Sequence, residues 1–294
     1  MSMDVTVRQK GFFKKDLPLE VILGNRLSYG TSDGLRLEPG VIKGNEFIAY
    51  NSAHIGRGFS VIYDKANPNE IVLRLLHPTS NEELHDFYQC VGRIVNHWKC
   101  ELEVDGETAA PPDFQRGLSQ MREFNAQVLR KMAEEIGSGA SGNLTLFSAF
   151  WPLVIGKPEA ALFKEEGVGA FRDWMHKKQS IDAYYAKPRF FMAGNAVVGR
   201  YVITENTRSI FPLEGCVPFG AVRAKTNEPL TCDHYEMCFY STTRNAGIGE
   251  MPYELFFERV NDEEIRRYDA GHVVVKPLSL AEMERILGPC AQKE

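Results

Sequence analysis

The stretch richest in chemically reactive side chains is TCDHYEMCFY, residues 231–240. If it forms a strand, Cys232, His234, Glu236 and Cys238 point to one face, because side chains alternate along a strand. Thiolate, imidazole and carboxylate are the ligands that zinc prefers. However, four same-face positions span about 20 Å, too far for one ion to reach them all, and a CxxC pair is absent. We therefore expect no metal and no cofactor, with His234 and Glu236 as candidate binding residues.

A second candidate site is QSIDAYYAKPRFF, residues 179–191, which carries Tyr184, Tyr185 and Arg189. Tyrosine and arginine favour recognition, because they offer flat apolar area and fixed hydrogen-bond donors. The alternative is a helix end in which one tyrosine packs inward while the charged side chains are only solvated.

The third candidate is the turn HIGRG, residues 54–58, where His54 and Arg57 flank a glycine. Its backbone amides and its arginine could together approach an anion. A dinucleotide site is rejected, because that fingerprint needs a third glycine and a following helix, whereas here a strand is predicted to follow. A glycine-rich bulge or turn without ligand is the structural alternative.

Net charge, apolar segments and cysteine usage argue against several classes of protein function. The net charge is −5, which argues against a general binder of nucleic acid or of anionic membranes. The first fifteen residues contain no apolar signal core, and the longest apolar window, residues 144–155, is too short to span a bilayer. The six cysteines form no dense framework. We therefore expect a cytoplasmic protein with reduced thiols.

The same start signal for a helix occurs twice. An apolar run ends at Pro78, and Ser80 with Glu83 forms a predicted capping box before an apolar helical face that extends to Trp98. Ser279 with Glu282 repeats the pattern after an apolar run near the C-terminus. Each predicts a strand that runs into a capped helix. A weak internal duplication and the independent occurrence of a common start signal both explain the repetition.

The elements between these two points predict an α+β fold. Short strands are separated by turn dipeptides, a long helix follows Asp113, and GSGASG, residues 137–142, is the one low-complexity segment. We therefore predict mixed or antiparallel sheets covered by helices. The chain is predicted to form two similar-sized halves, residues 1–136 and 143–294, joined by the linker at 137–142.

Several phrases resemble a bacterial family known only as a domain of unknown function, the one numbered 4299. The phrases are LPLEVILGNRLSYGTSDG (17–34), FSAFWPLVIGKPE (147–159), QSIDAYYAKPRFF (179–191), VVGRYVITENTRSIFPLEGCVPFG (197–220) and DAGHVVVKPLS (269–279). The resemblance implies a bacterial cytoplasmic protein of this length and implies no activity.

Motifs of lipases, zinc proteases, P-loop enzymes, kinases and EF-hands are absent from the sequence. We therefore expect a non-catalytic binding or regulatory protein. Its partner is expected to be a protein or a small ligand, and not nucleic acid or a membrane. Self-association into a homo-oligomer is left open. One alternative is a hydrolase that uses the 232–238 strand face. Another is a sensor that binds a small ligand between the halves, where clefts commonly form sites.

Overall fold

The computed structural model describes residues 1–10, 14–64, 66–218, 221–223 and 227–288. It forms two compact units, Met1–Ser180 and Ile181–Glu294. The division thus falls well after the predicted linker at 137–142, and the two units are unequal in length. The reason is that the helices on both sides of residues 137–142 pack against each other within the first unit.

The first unit contains an eight-stranded antiparallel sheet in the order β3-β2-β4-β5-β6-β1-β7-β8. Its strands are β1 Ser2–Arg8, β2 Leu27–Ser32, β3 Leu37–Pro39, β4 Glu46–Asn51, β5 Phe59–Asp64, β6 Asn67–Leu76, β7 Leu102–Val104 and β8 Glu107–Ala109. Alternate residues of its central strands, such as Val5, Val61 and Leu73, are buried. This period of two places one face of the sheet in a core.

Helices cover that face of the sheet. The helices of the unit are α1 Leu19–Leu23, α2 Asn81–Trp98, α3 Pro111–Arg116, α4 Leu118–Ser138 and α5 Lys157–Gln179, and a hairpin of β9 Leu144–Leu146 and β10 Leu153–Ile155 precedes α5. The side chains of α2 recur at helical spacing, so Leu84, Phe87 and Val91 enter the same core as the sheet. Gly167 breaks α5 with a φ of 72°, so this element consists of two helices joined at a kink.

The second unit has two four-stranded sheets. One has the order β11-β14-β18-β17, with β11 Tyr184–Tyr185, β14 Ser209–Pro212, β17 Ile265–Arg267 and β18 His272–Val275. The other has the order β12-β13-β15-β16, with β12 Arg189–Ala193, β13 Ala196–Thr204, β15 His234–Ser241 and β16 Ala246–Pro252. Each sheet contains one parallel pair, β11 with β14 and β13 with β15. Helices α6 Tyr253–Arg259 and α7 Leu280–Leu287 share their apolar core.

The predicted α+β class with antiparallel and mixed sheets is confirmed. Within the described ranges, no helix is both long enough and apolar enough to cross a membrane. The cysteines of those ranges are free thiols, and Cys290 lies outside them.

Both predicted junctions of a strand with a capped helix are present: β6 leads into α2, and β18 leads into α7. At α7 the capping box is complete, since Ser279 and Glu282 exchange two hydrogen bonds. At α2 only half of it forms. The hydroxyl of Ser80 accepts the Glu83 amide at 3.0 Å, but the Glu83 carboxylate does not return to Ser80. It binds the turn at residues 54–58 instead.

Removing either serine cap is expected to destabilise the protein. Ser80→Ala and Ser279→Ala should each lower the free energy of unfolding by about 1 kcal/mol, because each leaves a helix N–H without an acceptor. Urea denaturation of both variants measures this change. Ser80→Thr and Ser279→Thr keep a hydroxyl at the cap and serve as controls that recover most of the loss. An unchanged midpoint in the alanine variants would contradict the assigned helix starts.

Candidate ligand-binding cavity

The turn at residues 54–58 is held by hydrogen bonds to three side chains on two helices. The amide of Ile55 donates to His176 Nδ1 of α5 at 3.0 Å. The carbonyl of Gly56 accepts the side-chain amide of Gln179 at 2.7 Å, and the amides of Arg57 and Gly58 donate to the Glu83 carboxylate of α2. The turn is therefore held by α2 and α5 rather than by its own sequence alone.

Both glycines of this turn are needed for that close approach. Gly58 has a φ of +69°, and a Cβ there would lie 2.5 Å from Cγ2 of Ile48. A Cβ on Gly56 would lie 2.8 Å from a Glu83 carboxylate oxygen. Only glycine tolerates the left-handed backbone at position 58 without strain. The second glycine of HIGRG is therefore explained by its backbone conformation, and the first by its packing against Glu83.

The anion that the turn binds is therefore a side chain of the protein. Glu83 is 6% exposed, and its carboxylate also accepts the hydroxyl of Thr79. Burial raises the pKa of Glu83, while the hydrogen bonds from Thr79 and from the two amides lower it by less. The amides of residues 57 and 58 thus bind the carboxylate of Glu83, whereas the sequence prediction placed an external anion there.

The Arg57 side chain is left for a different role. It is 8% exposed; Nε donates to the Phe147 carbonyl at 3.0 Å, and Nη1 donates to the carbonyls of His77 and Pro78 at 3.1 and 3.3 Å. In the described part of the chain, Nη2 has no hydrogen bond and the guanidinium has no ion pair. Burial lowers the pKa of Arg57 to about 10, so the group stays charged at neutral pH.

The segment 77–79, which supplies two of the three carbonyls that hold Arg57, is itself bound by Asn125 of α4. Its Oδ1 accepts the Thr79 amide at 2.8 Å, and its Nδ2 donates to the Thr79 carbonyl at 2.7 Å. The same Oδ1 lies 3.1 Å from His77 Nδ1. Because a carbonyl oxygen only accepts, Nδ1 carries the proton. Asn125 is fully buried, so this arrangement orients residues 77–79 rigidly.

Arg57 forms part of the wall of a cavity of about 150 Å³ in the first unit. The described residues that line it include Arg74 and three serines but none that is acidic. The hydroxyl of Ser148 is buried and has no hydrogen-bond partner among the described residues. The lining residues are Ser32, Gly34, Leu35, Ile48, Arg57, Gly58, Ser60, Arg74, Leu76, Phe147, Ser148, Trp151 and Pro152.

In the second unit, the 232–238 candidates are arranged differently from the prediction. β15 begins at His234, so Cys232 lies before the strand, with its thiol bonded to nearby carbonyls. His234, Glu236 and Cys238 do share a face and line an open groove of about 790 Å³. Within the described residues, no group of three or more His, Cys, Asp or Glu side chains is placed to hold a metal ion.

Glu236 in this groove is already paired. Arg200 of β13 lies opposite it, with Nε 2.8 Å from Glu236 Oε2 and Nη2 3.4 Å from Glu250 Oε2. His234 Nε2 is 3.7 Å from the other Glu236 oxygen, and its side chain is about half exposed. These residues form a solvated network of ion pairs on one face of the sheet. Each pair in such a network contributes little to stability.

The remaining predicted site residues do not meet at one place. Tyr184 is partly exposed and Tyr185 is buried, as expected for a strand with one inward side. Arg189 lies on β12, an edge strand, and is exposed. His54 is exposed at the start of the turn, its ring centroid 6.4 Å from that of His176, and it does not line the Arg57 cavity.

Sequence reasoning missed a buried polar chain in the second unit. The hydroxyl of Tyr185 lies 3.0 Å from His272 Nε2, and His272 Nδ1 lies 2.9 Å from Asp269 Oδ1. Asp269 is fully buried. The signal was present as Asp-Ala-Gly-His at residues 269–272, a spacing in which an aspartate can bind the backbone and side chain of a turn that it starts.

The family model described as "Domain of unknown function (DUF4299)" matches residues 2–286 of the chain. No curated protein and no solved structure matches this chain.

Proposed function

We propose that this chain, which belongs to the family DUF4299, is a non-catalytic binding protein whose first unit takes up a small ligand in the Arg57 cavity. The observation that carries the proposal is Ser148, a residue of the cavity wall whose hydroxyl is buried without a partner among the described residues. A buried polar group left unpaired costs about 1–3 kcal/mol, so a bound polar molecule that supplies the missing hydrogen bond is stabilised there.

The composition of the wall also supports ligand binding. Small-molecule sites are concave and mostly apolar, with a few fixed polar groups. Here Ile48, Leu76 and Trp151 supply apolar surface, while Arg57 and Ser148 supply polar groups. The volume of about 150 Å³ is below the roughly 300–1,000 Å³ of typical ligand pockets, which limits the bound group to a few heavy atoms.

Nothing comparable supports a hydrolase on the 232–238 face. Glu236 is paired with Arg200, and Cys232 lies outside the strand that carries the other candidates. A role in regulation, a protein partner and a cytoplasmic location stay predictions from the sequence.

Titration with small solutes tests the proposal, because water alone also satisfies a serine hydroxyl. Acetate, acetamide and glycerol each fit the cavity, and amide NMR spectra report where they bind. We expect at least one of them to shift the amides of Gly58, Ser60 and Ser148 saturably.

Ser148→Leu fills the cavity and should abolish these shifts. The matched control is Ser52→Leu, which changes an exposed serine of the same unit and should leave them intact. Absence of saturable shifts with all three solutes would contradict the proposal, as would shifts that persist unchanged in Ser148→Leu.

A further inference from the structure

The charges around the cavity indicate the chemical class of its ligand. Two of the described lining residues, Arg57 and Arg74, are basic, and none is acidic. Arg74 is half exposed and already bound to Asp4, its Nη2 2.7 Å from the carboxylate. Arg57, by contrast, is bound only by carbonyl oxygens. Arg57 is therefore the basic group of the wall whose guanidinium has no ion pair with a described residue, although the Glu83 carboxylate favours its charge from a distance.

A buried guanidinium without a counter-ion is unfavourable, because burying a charge is costly unless it is paired. The nearest acidic group, Glu83, directs its oxygens to the amides of residues 57 and 58 and not to the guanidinium. Three neutral carbonyls satisfy two of the guanidinium nitrogens. Nη2 remains available as a donor, since it makes no hydrogen bond to a described residue.

We propose that the ligand of the Arg57 cavity carries a small oxyanion, a carboxylate or a phosphate, with Arg57 as its counter-ion and Ser148 as a second hydrogen-bond donor. Guanidinium groups bind these oxyanions through short, charge-assisted hydrogen bonds. A hydroxyl donates to the same oxygen atoms. This inference rests on the proposed function, since it names the ligand class of that same cavity.

The test compares probes that differ in charge. Acetate and acetamide have nearly the same shape, so the ratio of their dissociation constants, at fixed pH 7 and fixed ionic strength, isolates the charge. Inorganic phosphate, titrated in parallel, separates a carboxylate site from a phosphate site. We expect acetate or phosphate to bind at least tenfold more tightly than acetamide.

Variants locate the binding. Ser148→Ala should weaken the favoured anion roughly tenfold, the effect of losing one hydrogen bond to a charged group. Arg57→Gln should remove the preference for anions; if this variant does not fold, the probe ratio and Ser148→Ala still decide the question. Arg172→Gln makes the same change of net charge on the surface of the first unit and should leave the binding unchanged.

The outcomes separate the two proposals. Acetamide that binds as tightly as acetate, with both weakened by Ser148→Ala, would overturn the anion inference and leave the binding function intact. Anion binding that Ser148→Ala does not weaken would also overturn the inference, because the anion would then bind elsewhere. Failure of every probe to bind would overturn the proposed function itself.

Discussion

Glu83→Ala is expected to lower the free energy of unfolding of the first unit by about 3–5 kcal/mol, the cost of removing one member of a buried charged network. The carboxylate accepts the amides of Arg57 and Gly58 and the hydroxyl of Thr79. Alanine would leave these three donors unpaired in a place that water does not reach. The nearby charge of Arg57 would also lose the one carboxylate that raises its pKa.

Tryptophan fluorescence during urea denaturation measures this loss selectively. The chain has three tryptophans, Trp98, Trp151 and Trp174, and all three lie in the first unit. The far-UV signal at the same urea concentrations reports on the whole chain, so a shift confined to fluorescence places the effect in that unit.

The neighbouring glutamate is the matched control. Glu82 follows the same helix cap, but its carboxylate pairs with Arg172 at 2.6 Å with both side chains about one-third exposed. Solvent screens such a pair, so Glu82→Ala should cost at most about 1 kcal/mol. Equal losses for Glu82→Ala and Glu83→Ala would show that the turn at residues 54–58 does not depend on the buried carboxylate.

The contrast between these two glutamates shows how far sequence reasoning reached. The start of α2 was predictable, because a serine cap and an apolar period of 3.6 residues are local signals. The destination of the Glu83 carboxylate was not, because the amides that it binds belong to a turn 25 residues earlier, brought close by the pairing of β5 with β6. Patterns along a helix carry no information about such partners.

The cavity was only half predictable for the same reason. HIGRG indicated amides and an arginine near an anion, and the described geometry contains all three. Ser148, however, lies 90 residues further along, in the apolar window of residues 144–155, where no binding residue was predicted. Its unpartnered hydroxyl appears once the chain is folded, since burial and hydrogen-bond satisfaction are properties of tertiary structure.

The boundary between the two compact units does not coincide with the Gly/Ser segment that composition favours as a linker. GSGASG is typical of a flexible linker, yet it connects α4 to a hairpin and to α5, two elements that remain in the first unit. A Gly/Ser segment reports on local stiffness and not on which elements pack across it.

Asp269→Ala is expected to lower the free energy of unfolding of the second unit by about 2–4 kcal/mol, because it leaves at least two donors, one buried and one partly buried, without their acceptor at about 1–3 kcal/mol each. The donors are the Gly271 amide, 2.8 Å from Asp269 Oδ1, and His272 Nδ1. A carboxylate oxygen accepts from the imidazole, so His272 Nδ1 carries a proton and donates to Asp269, while Nε2 lies 3.0 Å from the Tyr185 hydroxyl.

Three hydrogen-bonded side chains, Tyr185, His272 and Asp269, connect β11 to β18 across the strand between them. β14 separates these two strands in the sheet, so backbone pairing alone does not join them, and Tyr185 and His272 supply a direct side-chain link. Loss of Asp269 frees the imidazole to take either tautomer and weakens that link. We therefore expect the destabilisation to reach β18 itself.

Amide hydrogen exchange in β18 measures the effect, because the second unit contains no tryptophan. Exchange of the Val273 and Val275 amides through unfolding of the unit should become roughly 30- to 1,000-fold faster in Asp269→Ala, since each 1.4 kcal/mol is a factor of ten.

Tyr185→Phe removes only the hydrogen bond between Tyr185 and His272 and should give a smaller change. Tyr240→Phe, which deletes an exposed hydrogen bond to Asn245, is the control and should leave exchange almost unchanged. Equal exchange rates in Asp269→Ala and Tyr240→Phe would mean that the buried chain adds nothing to the stability of the unit.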